Sequence, residues 1–142
     1  MFETGRIIKG QPVQKALDYL EQVCNKERAV PFFRYNTGIC HHAQGKEFGN
    51  PSTRWPVKCA KLYIKLIKNA LASAELKTKK GVEINTDNLK IVHVQCNYSR
   101  QYRWRRIHQA HGRVKSFASY PTNVQIVIAE PTAQIVKEEK KE

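Results

Sequence analysis

The residues best suited to acid–base chemistry are four histidines that form two close pairs along the chain: His41, His42, His108 and His111. Such pairs could supply the general acid and general base of an RNA nuclease. Metal-assisted phosphodiester hydrolysis also needs clustered carboxylates, however. Only Glu47 lies near the first pair, and the stretch from Asn88 to Ala129 around the second pair contains no Asp or Glu. We therefore predict that the chain is not an enzyme.

The residues best suited to metal binding are four cysteines, none of which forms a Cys-x-x-Cys pair: Cys24, Cys40, Cys59 and Cys96. A zinc site built from Cys40, His41, His42 and Cys59 would need two adjacent histidines on one ion, at spacings that match no known zinc module. We expect no metal or other cofactor, and free, mostly buried thiols. The first residues lack the apolar core of a signal peptide, which favours a cytoplasmic protein over a secreted one.

The charge balance indicates a polyanionic partner. The 142 residues include 25 Lys and Arg against 12 Asp and Glu, a net charge of +13. The basic residues concentrate in two stretches nearly free of acids, from Arg28 to Ala74 and from Asn88 to Ala129. Charge that served solubility alone would mix both signs. Nucleic acid is the commonest polyanion, and no apolar run is long enough for membrane insertion.

Two helices are predicted from apolar residues at helical spacing. A short amphipathic helix follows Pro12, with apolar residues up to Cys24, and a longer helix follows Pro56. The core stripe of the longer helix is predicted from its spacing: Val57, Ala60, Ile64, Ile67, Leu71 and Ala74. A second row, here called the lysine row, runs one position later with no intervening acid: Lys58, Lys61, Lys65 and Lys68. An external anion would relieve its repulsion.

The segment between these helices, residues 25–55, is here called the connecting loop. It contains several Gly and Pro residues, shows no sustained period, and mixes Arg34 and Arg54 with aromatic residues. Structureless connections of this length are uncommon in compact domains. We expect another macromolecule to order this loop.

Two strands are predicted in the second half, over Leu89–Cys96 and around Val124–Ile128, and they could pair antiparallel. The segment that joins them, Tyr98 to Tyr120, has six Arg or Lys, no acid and five interleaved aromatic residues. As one hairpin it would project about 35 Å. It has no Asn-Gly or Asp-Gly turn and no continuous apolar face, so we expect RNA phosphates to support it.

Several segments, in order, resemble a family of ribosomal proteins: Ile8-Lys9-Gly10, Val30-Pro31-Phe32-Phe33-Arg34-Tyr35-Asn36, Arg54-Trp55-Pro56, Leu66-Ile67-Lys68-Asn69-Ala70, Ala74-Glu75-Leu76-Lys77 and Ala110-His111-Gly112-Arg113. The family is the large-subunit protein called L twenty-two in bacteria and L seventeen in older eukaryotic naming. The resemblance covers residues 4 to 136, and its Phe-Arg-Tyr-Asn and Arg-Trp-Pro stretches are similar to the eukaryotic and archaeal branch.

The resemblance implies an α+β fold, with helices packed on a small three-stranded antiparallel sheet and a long protruding β-hairpin. It implies one domain over residues 1–136, a hairpin extension at about 98–120, and a charged C-terminal tail at 137–142. The implied function is structural, in the large subunit of the cytosolic ribosome. The implied partners are large-subunit ribosomal RNA, neighbouring proteins including L four near the exit-tunnel constriction, and the nascent polypeptide.

Two sets of site residues follow from the charge pattern and the resemblance together. We expect RNA contacts from Arg34, Arg54, Lys58, Lys61, Lys65, Arg100, Arg103, Arg105, Arg106, His111, Arg113 and Lys115. The resemblance implies a tunnel-lining tip formed by Tyr102, Arg103, Trp104, Arg105, Arg106, Ile107, His108 and Gln109, with Ala110–Arg113 beginning the returning arm. A free-standing RNA-binding regulator is the alternative, although the sequence has no helix-turn-helix pattern, RNP signature or Gly-x-x-Gly clamp.

Overall fold

The order of elements is given by a computed structural model that describes residues 1–81, 84–99 and 104–130, with the side chains of Asp87 and Trp104 left aside. In that part of the chain the α-helices are α1 (Phe2–Ile8), α2 (Val13–Cys24) and α3 (Val57–Lys79). The strands are β1 (Val30–Pro31), β2 (Thr53–Arg54), β3 (Lys90–Tyr98), β4 (Trp104–His108), β5 (Val114–Ala118) and β6 (Thr122–Ala129). Short 3₁₀ turns cover Ala43–Phe48, Thr86–Asn88 and Ala110–Gly112.

Helices α2 and α3 confirm the two helices predicted from sequence. Pro12 is the residue before the first turn of α2, where the fixed proline φ and the missing N–H are tolerated. The apolar face of α2 is buried as expected, and Tyr19 joins it. The Tyr19 hydroxyl donates a hydrogen bond of 2.9 Å to the carbonyl of Ala29, so its ring fills the core while its polar end is satisfied. Burial raises the pKa of Tyr19.

The buried stripe of α3 is centred on a residue that the predicted core stripe omitted. Tyr63 is fully buried between Ala60 and Ile67, whereas Ile64 and Leu71 pack only partly against the core. The Tyr63 hydroxyl donates to the carbonyl of Met1 at 3.0 Å, and it lies 3.0 Å from the Cys96 sulfur. Burial is the largest cause of the raised pKa of this hydroxyl.

Helix α1 was not predicted, because seven residues are too few for a helical period to show. Gly5 lets this helix approach closely: a methyl group there would lie 2.6 Å from the Tyr63 hydroxyl oxygen and 2.9 Å from Val94 Cγ1. Contacts with the sheet and α3 therefore stabilise α1, rather than its intrinsic helix propensity.

Helices α1 to α3 and the sheet of β3 and β6 are here called the body. In this sheet β3 and β6 pair antiparallel, as predicted. Its register runs from Lys90 opposite Ala129 to Tyr98 opposite Thr122, with an irregularity between Ile91 and His93. The residues that lead into α2 form an isolated antiparallel bridge, Pro12 with Lys90, at the other edge of β3. Here Gly10 N–H donates to Ile91 O at 2.7 Å, and Val13 N–H donates to Leu89 O at 3.0 Å. The α+β class with antiparallel strands and a hairpin is confirmed, and the described sheet consists of two strands with this bridge at its edge.

One hydrophobic core lies between the helices and this sheet. Its fully buried large side chains come from α1, α2, α3, β1 and β3: Ile8, Leu20, Val23, Val30, Tyr63, Ile67 and Ile91. Apolar residues of β6 pack against it from the sheet side. Among the described residues, no helix combines the length and hydropathy needed to cross a lipid bilayer.

Candidate nucleic-acid interface

The hairpin is formed by β4 and β5, which pair antiparallel from Trp104 opposite Ala118 to His108 opposite Val114. The turn between them spans Gln109 to Arg113, and the Gln109 N–H donates to the Arg113 carbonyl at 2.7 Å. Within it, His111 and Gly112 both adopt left-handed backbone conformations, with φ of 61° and 67°.

The position of this turn corrects the placement of the tip at Tyr102–Gln109. Arg105 to His108 lie on the outgoing strand, and Ala110–Gly112 form the turn instead of beginning the returning arm. The reason is local: glycine populates positive φ at no steric cost, so Gly112 favours a chain reversal just after the outgoing strand ends at His108. Whether the residues line a tunnel is a separate matter and stays a prediction.

Both faces of the hairpin carry positive charge. Residues directly opposite each other in an antiparallel pair share a face. One face therefore presents Arg105 beside Phe117 and Ile107 beside Lys115, and the other presents Arg106 beside Ser116. Every residue from 105 to 117 is exposed. The apolar side chains here are exposed as well, at 47% for Ile107 and 55% for Phe117.

The hairpin continues the β3–β6 ladder after an unequal interruption. Five residues, 99–103, follow the last β3 pair on the outgoing side, and three residues, 119–121, precede β6 on the returning side. Three of the predicted site residues, Arg100, Tyr102 and Arg103, lie outside the described residues. Of Trp104 only the backbone is described, as the first residue of β4.

The lysine row of α3 forms a second cationic surface. Lys58, Lys61, Lys65 and Lys68 are all exposed, on a helix whose opposite side is buried in the core. Within the described ranges none of these lysines forms an ion pair. Four like charges on one helix repel one another, so this surface favours a polyanion with closely spaced charges.

The connecting loop provides a third cationic surface, on which Arg34 lies against aromatic rings. Arg34 is stacked over the rings of Phe2 and Tyr35, at 5.7 and 5.5 Å from the guanidinium carbon to the ring centres. Arg6, which sequence analysis did not single out, lies 4.7 Å over Phe33. Arg54 donates a hydrogen bond of 3.3 Å to the Gly38 carbonyl. Arg34 and Arg54 both stay exposed, so their cationic groups remain accessible.

The connecting loop is held by the chain itself, which corrects the expectation that another macromolecule must order it. The Asn50 amide donates to the Phe32 carbonyl at 3.0 Å, and its oxygen accepts from the Ser52 N–H at 2.9 Å. Trp55 Nε1 donates to Gln44 at 2.8 Å, and Arg28 forms an ion pair with Glu47. These side-chain contacts add to the short antiparallel pairing of β1 with β2 inside the loop.

The remaining polar candidates do not converge on a reactive centre. His42 stacks on Trp55 with ring centres 4.8 Å apart, while His108 and His111 lie on the hairpin. All four cysteines are free, as predicted, but Cys40 is exposed and the other three are only half-buried, so the prediction of mostly buried thiols was wrong. Across residues 1–81, 84–99 and 104–130, no three His, Cys, Asp or Glu residues lie close enough to bind a metal together.

Comparison with known proteins shows which family has a similar sequence. Residues 1–129 match the family model described as ribosomal protein L22p/L17e, which includes the body, the connecting loop and the hairpin. The chain belongs to the ribosomal protein L22p/L17e family. This confirms the resemblance in its motifs and identifies the chain as a structural ribosomal protein, not an enzyme.

Curated members of the L22p/L17e family match over most of the chain. Large ribosomal subunit protein uL22 of Yarrowia lipolytica is 39% identical over 136 residues, which cover 96% of this chain and 71% of that protein. Protein uL22A of Saccharomyces cerevisiae is 39% identical, covering 98% and 72% respectively. Protein uL22A of Schizosaccharomyces pombe is 42% identical, covering 95% and 69%. The similarity to these fungal proteins confirms the eukaryotic branch.

Proposed function

We propose that this chain is a structural constituent of the large subunit of the cytosolic ribosome, where it binds large-subunit ribosomal RNA. Family membership supports the first part, since the similar fungal proteins are all named large ribosomal subunit proteins. The three cationic surfaces support the second. In this proposal residues 1–136 form one domain, and the tail at 137–142, which lies outside the described residues, is an appendage to it.

The observation that carries RNA binding is the charge on both faces of an exposed hairpin. A strand pair that packed on its own protein would present one apolar face, whereas here Arg105 and Lys115 are on one side and Arg106 is on the other. Arginine matches phosphate oxygens with a planar pair of donors and can also stack on bases. The hairpin is therefore suited to insertion between RNA segments.

The other two surfaces extend this interface to the body. The lysine row on α3 suits a phosphate backbone, because flexible ammonium groups act as point charges. Arg34, with its aromatic neighbours, suits an unpaired stretch where bases are available for stacking. Predicted contacts through Arg54, Arg100, Arg103, His111 and Arg113 belong to the same proposal.

The finer part of the proposal concerns the hairpin end. We infer that it lines the nascent-polypeptide exit tunnel beside ribosomal protein L four, with the outgoing strand and the turn at Gln109–Arg113 nearest the nascent chain. The support is the family's implied arrangement and the exposure of residues 105–117.

A matched pair of charge variants tests RNA binding. Arg105, Arg106 and Arg113 are replaced together by Gln, and the control replaces Lys77, Lys79 and Lys80 at the end of α3, which also removes three charges. Binding to purified large-subunit RNA is measured over a series of salt concentrations. We expect the hairpin variant to flatten the slope of log affinity against log salt by about two to three, and the control to leave it nearly unchanged.

Co-sedimentation of the unsubstituted chain distinguishes the proposal from its alternative, a free-standing RNA-binding regulator. A tagged copy expressed in yeast should co-sediment with large subunits and be released only by high salt. Recovery as a monomer at moderate salt would contradict a ribosomal role and favour the regulator. Equal changes of slope in both triple variants would contradict the assignment of the hairpin as an RNA-contacting surface.

A further inference from the structure

A cleft of about 330 Å³ opens between α1 and β3 and is here called the α1–β3 cleft. One wall is formed by α1 and its end, with Phe2, Gly5, Arg6 and Lys9, and the other by Gln95 and its neighbours in β3. Among the described residues, none that lines the cleft is acidic. This volume lies at the lower end of the range for ligand sites, which suits one unit of a longer polymer.

The α1 wall of the cleft carries two cations that the described part of the chain does not neutralise. Arg6 and Lys9 are both exposed, and neither forms an ion pair within residues 1–81, 84–99 and 104–130. They are three residues apart, so their side chains lie on the same side of α1. The Arg6 guanidinium is also held at 4.7 Å over the Phe33 ring, which limits its freedom before anything binds. This wall therefore suits two neighbouring phosphates of one strand.

On the β3 side, the cleft borders a row of uncharged side chains that are hydrogen-bonded to one another. His93, Gln95 and Asn97 alternate along β3 and are all exposed. The Nε2–H of His93 donates to Gln95 Oε1 at 3.2 Å, because an amide oxygen can only accept. Gln95 Nε2 donates to Asn97 Oδ1 at 3.1 Å. These two bonds fix the Gln95 amide and leave it one N–H and one oxygen lone pair for an outside group.

The row belongs to a solvated face of the sheet that consists largely of amides. Residues opposite each other share a face, so Gln95 lies beside Gln125 and Asn97 beside Asn123. All four are exposed, although 26% of the residues in the whole chain are charged. Amides add no charge for solubility, but each can both donate to and accept from a hydroxyl group. This face therefore suits a partner that carries hydroxyl groups.

An RNA strand offers the set of groups that complements both walls. Its backbone repeats a phosphate and a ribose, and the ribose 2′-hydroxyl both donates and accepts hydrogen bonds. Arg6 and Lys9 suit the phosphates, and the remaining N–H and oxygen lone pair of Gln95 suit one hydroxyl. A DNA strand supplies the same phosphates but leaves the amide without this partner. The two walls together thus favour ribose over deoxyribose.

We propose that the α1–β3 cleft binds the sugar–phosphate backbone of one RNA strand and selects ribose over deoxyribose. Two consecutive phosphates contact Arg6 and Lys9, and the 2′-hydroxyl between them contacts the Gln95 amide. This inference rests on the proposed RNA-binding function and adds a surface outside the hairpin, the lysine row and Arg34. The cleft selects no base sequence, because the backbone groups are the same at every nucleotide.

The first test compares two probes that differ only in the 2′-hydroxyl. They are fluorescently labelled octamers of uridine and of deoxyuridine, titrated with the full-length chain and followed by anisotropy. We expect the ribose probe to bind about fivefold more tightly, which is the effect of about one net hydrogen bond. Equal affinities would overturn the proposal without any variant. Displacement of the ribose probe by inorganic phosphate at constant ionic strength would also overturn it, because it would show a site for the free ion.

Two matched amide variants locate the preference. Gln95→Ala should lower the ratio of the two affinities to about one, without changing the slope of log affinity against log salt, because no charge is lost. Gln125→Ala removes the same amide from the opposite residue of β6, which does not line the cleft, and should leave the ratio unchanged. Equal ratios in the two variants would overturn the proposal.

A second pair of variants tests the cationic wall. Replacing Arg6 and Lys9 together by Gln should flatten the salt slope for the uridine octamer by about 1.4, the value for two phosphates of a single strand. The control replaces Lys79 and Lys80 at the end of α3, which also removes two charges and should leave the slope nearly unchanged. An unchanged slope in the Arg6 and Lys9 variant would contradict the phosphate contacts.

The ribose site and RNA binding by the hairpin are tested separately. The hairpin variant that lacks Arg105, Arg106 and Arg113 should keep the ribose preference, because those arginines contact phosphates that both probes carry. A flattened salt slope in that variant together with equal affinities for the two probes would refute the ribose site alone. A fivefold ribose preference with an unchanged slope in that variant would refute RNA binding by the hairpin alone.

Discussion

The connecting loop and the hairpin are both basic, rich in aromatic residues and without a sustained apolar period, yet they differ in burial. In the loop, β1 and β2 pair with each other, and Val30 and Pro31 are fully buried. In the hairpin, no residue from 105 to 117 is buried or half-buried. Similar compositions therefore have opposite consequences, depending on whether the segment finds partners on its own chain.

The difference lies in what accepts the backbone hydrogen bonds and covers the apolar side chains. Loop groups are satisfied across long sequence separations, as when Glu3 accepts from Arg34 and Tyr35. Backbone N–H and C=O groups of β4 and β5 are paired with the opposite strand of the hairpin. The side chains of Ile107 and Phe117 remain exposed to solvent. An isolated two-stranded hairpin is marginally stable in water. We therefore expect the hairpin, and not the loop, to depend on RNA for its stability.

The largest expected difference between the two segments is in proteolysis. Without RNA, trypsin should cut after Arg105, Arg106 and Arg113 about a hundredfold faster than after Arg28, Arg34 and Arg54, because local opening of the hairpin exposes no core. Cleavage sites and rates are measured by mass spectrometry. Added large-subunit RNA should remove the difference by protecting the hairpin. The control is the urea-unfolded chain, and similar rates in the native chain would show that the loop is as open as the hairpin.

A smaller effect is expected when one contact inside the loop is removed. Asn50→Ala deletes the amide that joins Phe32 O to Ser52 N–H, so the free energy of unfolding should fall by about 1–3 kcal/mol. Urea unfolding measures it. Asn36→Ala is the matched control, since Asn36 is an exposed asparagine of the same loop whose side chain forms no hydrogen bond within the described ranges. Equal effects of both substitutions would argue against internal support of the loop.

The smallest effect is expected at the ion pair of the loop. Glu47→Gln removes the partner of Arg28, but the two side chains are 50% and 36% exposed, so solvent screens their attraction. The free energy of unfolding should change by less than about 1 kcal/mol. Arg28→Gln should cost more, because Arg28 also stacks over Tyr19 at 4.7 Å and donates to Gln22. A Glu47 variant that is the more destabilised of the two would reverse this assignment.

Much of the body could be predicted because its periodicity is local. Helices α2 and α3 and the pairing of β3 with β6 follow from spacing of apolar residues over one or two turns or strands. Helix α1 could not, since it depends on the close approach of Gly5 to Tyr63 and Val94, which are distant in sequence. Tyr63 itself was missed because a polar aromatic inside a lysine-rich helix fits the spacing no better than its neighbour Ile64.

The candidate site was predictable in residue types but not in partners. The acid-free stretch and interleaved aromatics indicated an RNA-binding hairpin, while the turn was placed too early because left-handed φ at His111 and Gly112 has only a weak signal in sequence. Glu3 gave no signal at all. Its role depends on backbone groups 31 and 32 residues away that only the folded chain brings together.

The consecutive left-handed residues His111 and Gly112 have one more consequence. Because these residues reverse the chain within five residues, the length of the hairpin depends on its two strands and not on its turn. Lengthening each arm by two residues would move the end outward by about 7 Å and leave every side chain on its original side. Lengthening each by one would exchange the sides. The length of the hairpin can therefore change by two residues per strand at a time while the charged side chains keep their faces.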